Sequence, residues 1–352
     1  MVPYLREHHA DPGRVHSDGR VTRVAIEDAR AQVAAFVGAR PREVVFTSGG
    51  TEAVNAAVFG AVRRDPARRG IVTSAVEHSS VLDACRREAG AVTIVGVDEF
   101  GCVAATDVLD AIDDSVALVS VQLTNHEVGT RQSLNDIVTV ARSAGVLVHV
   151  DACAAIGYEP VDFATIGADL MSVTAHTWGG PKGVGALLIR RGLRIPPFIV
   201  GGAQERARRA GIENVPAIVG FGAATTACSP TEFLTCTELT DAIRSGLAET
   251  VTGLTFYGHP TERAGNLVCF GVEGVEAEPI LLALDQQGIA IHSGSACSSE
   301  SLEPSPVLAA MGANADQSLR ISVGWTTTTA DVDRLLDVVP GIIERMRGLR
   351  TA

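Results

Sequence analysis

The chemistry open to this chain is set by a single amine and one accessible thiol. Lys182 is the sole lysine in 352 residues, so a reaction that needs an amine side chain has one candidate. It lies in Thr174-Ala175-His176-Thr177-Trp178-Gly179-Gly180-Pro181-Lys182-Gly183, a glycine-rich stretch of the kind that packs closely against a ligand or a neighbouring chain. Cys297 stands in His292-Ser293-Gly294-Ser295-Ala296-Cys297-Ser298-Ser299, where small neighbours leave a thiol accessible and, as thiolate, nucleophilic. The other six cysteines sit mostly among apolar neighbours and read as buried small hydrophobes. Phe46-Thr47-Ser48-Gly49-Gly50-Thr51-Glu52 has the order strand, glycine turn, helix start. Backbone N–H groups at such a helix start can hold a phosphate, although a turn of this kind can equally do no more than connect two elements. Asp151 ends His149-Val150-Asp151, at the carboxyl end of a presumed strand, where it can pair with a ring nitrogen or cap the next helix.

The elements that must position these residues follow from hydrophobic periodicity. Short β-branched runs at 44–47, 71–74, 92–95, 116–121, 146–150, 170–174 and 185–189 alternate with helical patterns at 22–38, 51–64, 78–88, 106–112 and 133–144. That alternation requires an α/β fold with a mostly parallel, seven-stranded sheet and helices on both faces. Beyond Arg194 the texture changes. A loop at 195–202 leads to a helix at 214–227, then strands near 266–272 and 317–323 and a terminal amphipathic helix near 328–346. The expected division is a large α/β domain at 15–228 and a small α+β domain at 229–352, which takes in residues 1–14 and carries the Cys297 loop.

Composition removes several classes. With 46% hydrophobic and 20% charged residues, the chain is neither disordered nor fibrous. No run of about 18 apolar residues exists, and the opening MVPYLREHHADPGR lacks a signal-peptide core, so a soluble cytoplasmic protein without membrane attachment is expected. A net charge of −12 repels phosphate backbones and argues against direct nucleic-acid binding. The short Arg206, Arg208, Arg209 cluster is expected to close over the site or to meet a second subunit. Seven cysteines without a CxxC pair argue against a disulfide framework and against a thiolate zinc site.

In chain order, VHSDGR, FTSGGTEAVN, VEHSSVLDAC, TNHEVGT, HVDACAAIG, GPKGVGAL, GGAQERARRAGIENVPAIVGFG and SGSACSSESLEPSPVLAAMG resemble the cysteine desulfurases of the class V aminotransferase group. The resemblance implies the fold-type I architecture, pyridoxal 5'-phosphate as cofactor and a homodimer with active sites near the subunit interface. It also implies L-cysteine as substrate, alanine as product and a protein sulfur acceptor. By the same resemblance, Cys297 carries the persulfide, Gly50 and Thr51 form the phosphate turn, and His78 stacks on the cofactor ring. Asp151 pairs with the pyridine nitrogen, Thr174 and His176 lie on the phosphate side, and Arg320 holds the substrate carboxylate.

Departures from the family pattern shape the functional expectation. In His-Lys-x-x-Gly-Pro-Lys-Gly the first lysine forms the Schiff base, and Thr177 stands there; Lys182 matches the second lysine. His126 replaces an asparagine that contacts the cofactor, Ala154 a glutamine that bonds the ring hydroxyl, and Ile212 a threonine that reaches the phosphate across the dimer. The family's opening Asp-Asn-Ala-Ala-Thr-Thr is absent. These changes predict a degenerate cofactor pocket without covalent attachment and with conventional desulfurase turnover lost or strongly reduced. Three readings stay open. One is a divergent enzyme of sulfur metabolism with unanchored cofactor, in which His126 or His176 moves the proton. Another is a non-catalytic scaffold, regulator or partner of an active paralogue. The last is cofactor-independent thiol chemistry at Cys297, His78, His126 and His176. Two of those three histidines match family positions, so inheritance is favoured over a metal site.

Overall fold

The computed structural model describes residues 1–293 and 305–350, which fall into two compact units. The first comprises Met1–Val95, Ala104–Leu123 and Ser133–Ser229. Its strands are β1 (Val44–Thr47), β2 (Gly70–Ser74), β3 (Ala91–Val95), β4 (Val116–Gln122), β5 (Leu147–Asp151), β6 (Leu170–Thr174) and β7 (Gly185–Ile189), in the spatial order β1-β7-β6-β5-β4-β2-β3. Only β7 runs antiparallel to its neighbours; β3, β2, β4, β5 and β6 pair in parallel. Except for the edge strand β3 and one half-buried residue of β5, these strands are buried throughout, as continuous β-branched runs covered by helices on both faces require. The helix Gly50–Arg64 lays Ala53, Val54, Ala57, Val58 and Ala61 on Ile71, Leu118, Leu170 and Leu187. Each fully buried Val or Leu there contributes about 1.5–3 kcal/mol.

On the other face Ser17–Phe36 crosses Val215–Ala227, and the close approach is made possible by Gly222, where a Cβ would meet the Ala29 Cα at 2.8 Å. Residues 1–14 were expected beside the C-terminal domain, but they fall within the first unit. The short helix Val2–Arg6 packs on Val215–Ala227, and Met1 Sδ lies over Gly220, where a Cβ would meet it at 2.8 Å.

The second unit gathers Gly96–Val103, Thr124–Gln132 and the chain from Pro230 onward, so a single cut at 228 does not describe it. The two early segments join it through polar contacts. Gln132 Oε1 accepts from the Val103 N–H at 2.9 Å, Gln132 Nε2 donates to the Gly101 carbonyl at 2.8 Å, and the Ala264 N–H donates to the Gly129 carbonyl at 2.8 Å. Its strands β8 (Leu254–Tyr257), β9 (Leu267–Val272), β10 (His292–Ser293) and β11 (Ser318–Ser322) form an antiparallel sheet in the order β10-β11-β9-β8. The helices Pro230–Thr250, Ala277–Asp285 and Thr329–Arg350 belong to the same unit. Among the described residues no helix is long and apolar enough to cross a membrane.

Candidate active site

The carboxyl ends of β1, β2, β4, β5 and β6 lie along one edge of the first sheet, where open α/β folds place their ligand crevices. At the end of β1, Thr47 Oγ1 donates to the Gly49 carbonyl at 2.9 Å, and Gly49 takes φ 157°, ψ −178°, a conformation essentially reserved for glycine. The helix Gly50–Arg64 then starts with no side-chain cap, so first-turn N–H groups are left for a ligand. A Cβ on Gly50 would lie 2.6 Å from Cys153 Sγ and 3.6 Å from the Thr174 Cβ, which makes this turn a close-packed cradle.

Glu52 fixes the turn: it accepts from the Ser48 N–H at 2.8 Å and from Arg209 Nε and Nη2 at 2.9 and 3.2 Å. Burial raises the Glu52 pKa, but the hydrogen bonds from Arg209 and Ser48 outweigh it and leave the pKa below the usual carboxylate range. The arginine cluster expected to close over the site or meet a second subunit makes contacts within the chain, and through Arg209 at the phosphate turn itself. Arg209 holds Glu52, Arg206 reaches Glu27 at 2.9 Å, and Arg208 donates to the Arg42 carbonyl at 2.9 Å. The physical reason is the buried Glu205, which accepts from Arg30 at 2.6 and 2.7 Å and from the Phe46 N–H at 2.9 Å and so draws this segment onto β1.

Asp151, at the end of β5, is 7% exposed and accepts the Cys153 N–H at 3.0 Å. It both caps the following turn and presents a carboxylate at the sheet edge. One level below, His149 is fully buried between Ser120 Oγ on Nδ1 and Ser172 Oγ on Nε2, each at 2.8 Å. Burial pushes its pKa down to about 4 even though Asp151 opposes the shift, so a neutral ring joins β4, β5 and β6 beneath the acid. His78 caps the helix Ser79–Glu88, with Nδ1 accepting from the Ser80 N–H at 3.1 Å. A neutral ring in that geometry carries its proton on Nε2. Its loop is tied to the sheet next to Asp151, since Gln122, in register with Asp151, donates through its backbone N–H to Glu77 and through Nε2 to the Val76 carbonyl.

Beyond β6, Thr174 Oγ1 and His176 Nδ1 are 2.9 Å apart, with Thr174 buried and His176 exposed. Thr177 is half-buried. Its Oγ1 donates to the Cys153 carbonyl at 3.1 Å, and its own carbonyl accepts from Tyr158 OH at 2.7 Å. Trp178 anchors this turn by stacking on Phe36, with centroids 5.2 Å apart, and by donating to the Thr174 carbonyl at 3.0 Å. Lys182, five residues further on, is exposed. Gly50, Asp151 and Thr177 thus meet at Cys153, with Thr174 beside Gly50 and His176 on Thr174. Burial, aided by Asp151, pushes the Cys153 thiol well above its ordinary range, so it stays protonated.

Arg320 and His126 belong to the second unit. Arg320, on β11 opposite Cys269, donates through Nη1 to the His126 carbonyl at 3.0 Å, while its buried Nε makes no hydrogen bond among the described residues. His126 Nε2 lies 3.5 Å from Glu127 Oε1, and the buried Glu127 accepts from Ser305 Oγ on its other oxygen. Asn125 Oδ1 accepts the Glu127 and Val128 N–H groups at 2.8 Å each and so fixes the turn. Cys297 lies outside the described residues. The six cysteines that are described are free; Cys85, Cys236 and Cys269 are buried, whereas Cys102, Cys153 and Cys228 are only half-buried. Burial raises Cys85 and Cys269 to about 12 and Cys102 to about 11. Among the described residues no group of three or more His, Cys, Asp or Glu could hold a metal ion.

The sequence reading missed Ser120, His149 and Ser172, although each stands two residues before its strand's carboxyl end within an otherwise apolar run. A polar residue at the same distance from the carboxyl end of three buried strands was the available signal. The links from Glu52 to Arg209 and from Arg30 to Glu205 span 157 and 175 residues and had no local signature.

A family model described as aminotransferase class-V matches residues 1–335. A protein named cysteine desulfurase IscS from Methanosarcina thermophila is 41% identical over 99% of this chain and 89% of its own length. A solved structure described as a NifS-like protein superposes with a TM-score of 0.90 at 30% identity, covering 98% of this chain and 94% of the other. Another, described as SspA in complex with cysteine, gives 0.81 at 29% identity, covering 91% and 92%. The chain belongs to the class V aminotransferase family and has the fold-type I architecture of its cysteine desulfurase relatives.

Proposed function

We propose that this protein is a cytoplasmic, desulfurase-like member of its family that holds pyridoxal 5'-phosphate without covalent attachment and turns over L-cysteine little or not at all. The residues present fit the cofactor at two points. The uncapped start of Gly50–Arg64, with the exposed Thr51 and the nearby Thr174 and His176, suits a phosphate, and the buried Asp151 carboxylate suits a protonated ring nitrogen. They do not fit anchoring. The observation that carries the reading is Thr177, which stands where the family's lysine is expected and spends its hydroxyl on the Cys153 carbonyl.

Bound there, pyridoxal 5'-phosphate would supply an aldehyde and an electron-withdrawing ring. The chain's own contribution is then narrower than an active relative's. Asp151 would pair with the protonated ring nitrogen, His149 beneath it stays neutral on Ser120 and Ser172 and so adds no charge, and His78 would offer a ring face. Arg320 is proposed, as the resemblance implies, to take a substrate carboxylate through its guanidinium. Thr177 cannot accept a proton at neutral pH, so proton transfer would fall to a histidine, His176 or His126. Cys297 would accept sulfur only if that step proceeds. The dimeric state and a protein sulfur acceptor are carried over from the family as part of this proposal; a non-catalytic role beside an active paralogue is the alternative.

The test is sulfide release from L-cysteine in the presence of added cofactor. Wild type is expected to release none above background and Thr177→Lys to gain a measurable rate. A wild-type rate that Thr177→Lys does not exceed would discard the reading.

A further inference from the structure

The phosphate turn carries half of a capping device. In the full form a Ser or Thr at the N-cap bonds the third N–H of the helix, while a Glu at that third position reaches back to the N-cap backbone. Here the N-cap is Gly49, which has no side chain, and Glu52 at the third position reaches back to the Ser48 N–H at 2.8 Å. The first intrahelical bond runs from the Ala53 N–H to the Gly49 carbonyl at 3.1 Å, so the N–H groups of Gly50, Thr51 and Glu52 precede it with no side-chain cap. An anion can take the place of the missing side chain.

The half that is present works against that anion. The Glu52 side chain is only 9% exposed and ionised at neutral pH, so a carboxylate stands in the same first turn that would hold a phosphate, and like charges repel most where water is scarce. Arg209 removes the conflict. It meets Glu52 through Nε at 2.9 Å and Nη2 at 3.2 Å, the two-bond contact a guanidinium makes with a carboxylate. Glu205 and Glu213 also attract Arg209, but each has an arginine of its own, Arg30 at 2.6 Å and Arg23 at 3.6 Å. We propose that Arg209 is a positioning residue for the cofactor phosphate: acting through Glu52, it cancels the carboxylate's charge and so lets the turn take a phosphate. This rests on the cofactor-binding part of the proposed function and adds a residue to it. A latch that merely held the shape of the turn would need both partners alike, whereas a counter-charge requires opposite effects from the two.

Pyridoxine 5'-phosphate and pyridoxine, which lack the aldehyde, are the probes, and their binding to the full chain is measured by calorimetry. Arg209→Gln should weaken the phosphorylated probe by about tenfold or more and leave pyridoxine unchanged. Glu52→Gln, which keeps an acceptor for the Ser48 N–H, should bind the phosphorylated probe at least as tightly as the wild type. The double variant should return to within about threefold of the wild type, and Arg209→Lys, which keeps the charge, should lie in the same range. If Arg209→Gln does not fold, Glu52→Gln decides alone. Weaker binding of the phosphorylated probe in Glu52→Gln, or wild-type binding in Arg209→Gln, would overturn the proposal in favour of a purely structural pair. A wild type that binds neither probe would overturn the function reading together with it. Sulfide release by the wild type would overturn that reading alone, since the binding comparison needs no turnover.

Discussion

Glu205→Gln tests how the phosphate turn is held, because it removes one charge and almost no volume. In the wild type Glu205 faces Arg30 through hydrogen bonds of 2.6 and 2.7 Å, with Arg30 1% and Glu205 5% exposed and the guanidinium 4.7 Å above the Phe46 ring. Burial alone would lower the Arg30 pKa, and Glu205 together with Glu27 more than reverses this, so the arginine remains charged because of its partners. Without Glu205 the buried charge keeps only Glu27, 3.3 Å from Arg30 Nε and itself 40% exposed on its side chain, and the Val44 carbonyl, a change that costs up to about 3–5 kcal/mol. The backbone adds to the load: Glu205, Arg206 and Ala207 all have left-handed φ values of 48°, 59° and 59°. At about 1–2 kcal/mol each, that strain persists only while Glu205 is fastened.

The assay is urea unfolding followed by tryptophan fluorescence, with Trp178 reporting on the first unit through its stacking on Phe36. The single variant should lose up to about 3–5 kcal/mol, whereas Arg30→Met combined with Glu205→Leu should recover most of it, because an apolar pair leaves no unmatched charge. A loss under about 1 kcal/mol in the single variant, or a double variant less stable than the single, would refute the reasoning.

Acid should weaken the fold through His149 before most carboxylates titrate. Its folded pKa is about 4 while an unfolded histidine titrates near 6.5, so stability is full above about pH 6.5 and is lost as the pH falls toward 4, by up to about 3 kcal/mol. His149→Gln should flatten that limb of the stability curve, and an unchanged slope would contradict the assignment. Glu52, with its folded pKa lowered, adds stability that is lost at still lower pH, so Glu52→Gln should affect only the acid end of the same curve. Gly157→Ala should cost about 2–5 kcal/mol, because φ is +85° and the new Cβ would meet Trp178 Cγ at 2.2 Å; thermal unfolding within about 0.5 kcal/mol of wild type would show that the turn carrying Thr177 is not braced there.

Most strands of the first unit were legible because they are apolar runs, many β-branched, whose burial on both faces leaves no alternation to confuse the assignment; the exposed edge strand β3 shows itself by its β-branched composition alone. β10 is two residues long and β8 is half-exposed, so neither carries a pattern of its own; their pairing with β11 and β9 defines them. The membership of 96–103 and 124–132 in the second unit was hidden for a related reason. Gln132 and Gly129 commit them through side-chain and backbone contacts to residues that periodicity does not see. At the candidate site, the glycine turn, Asp151 and the Thr177 departure were readable as residue types in a strand-and-turn context. What those types could not disclose was the service of other groups, such as Ser120 and Ser172 clamping a neutral His149, or Tyr158 holding the Thr177 carbonyl.

The central claim is that no amine of this chain fastens the cofactor. The most direct measurement is borohydride reduction of the purified protein after incubation with pyridoxal 5'-phosphate, followed by mass analysis of the peptide that contains Lys182, the chain's only lysine. The account predicts an unmodified peptide and cofactor that dialyses away. A phosphopyridoxyl group on Lys182 would contradict it.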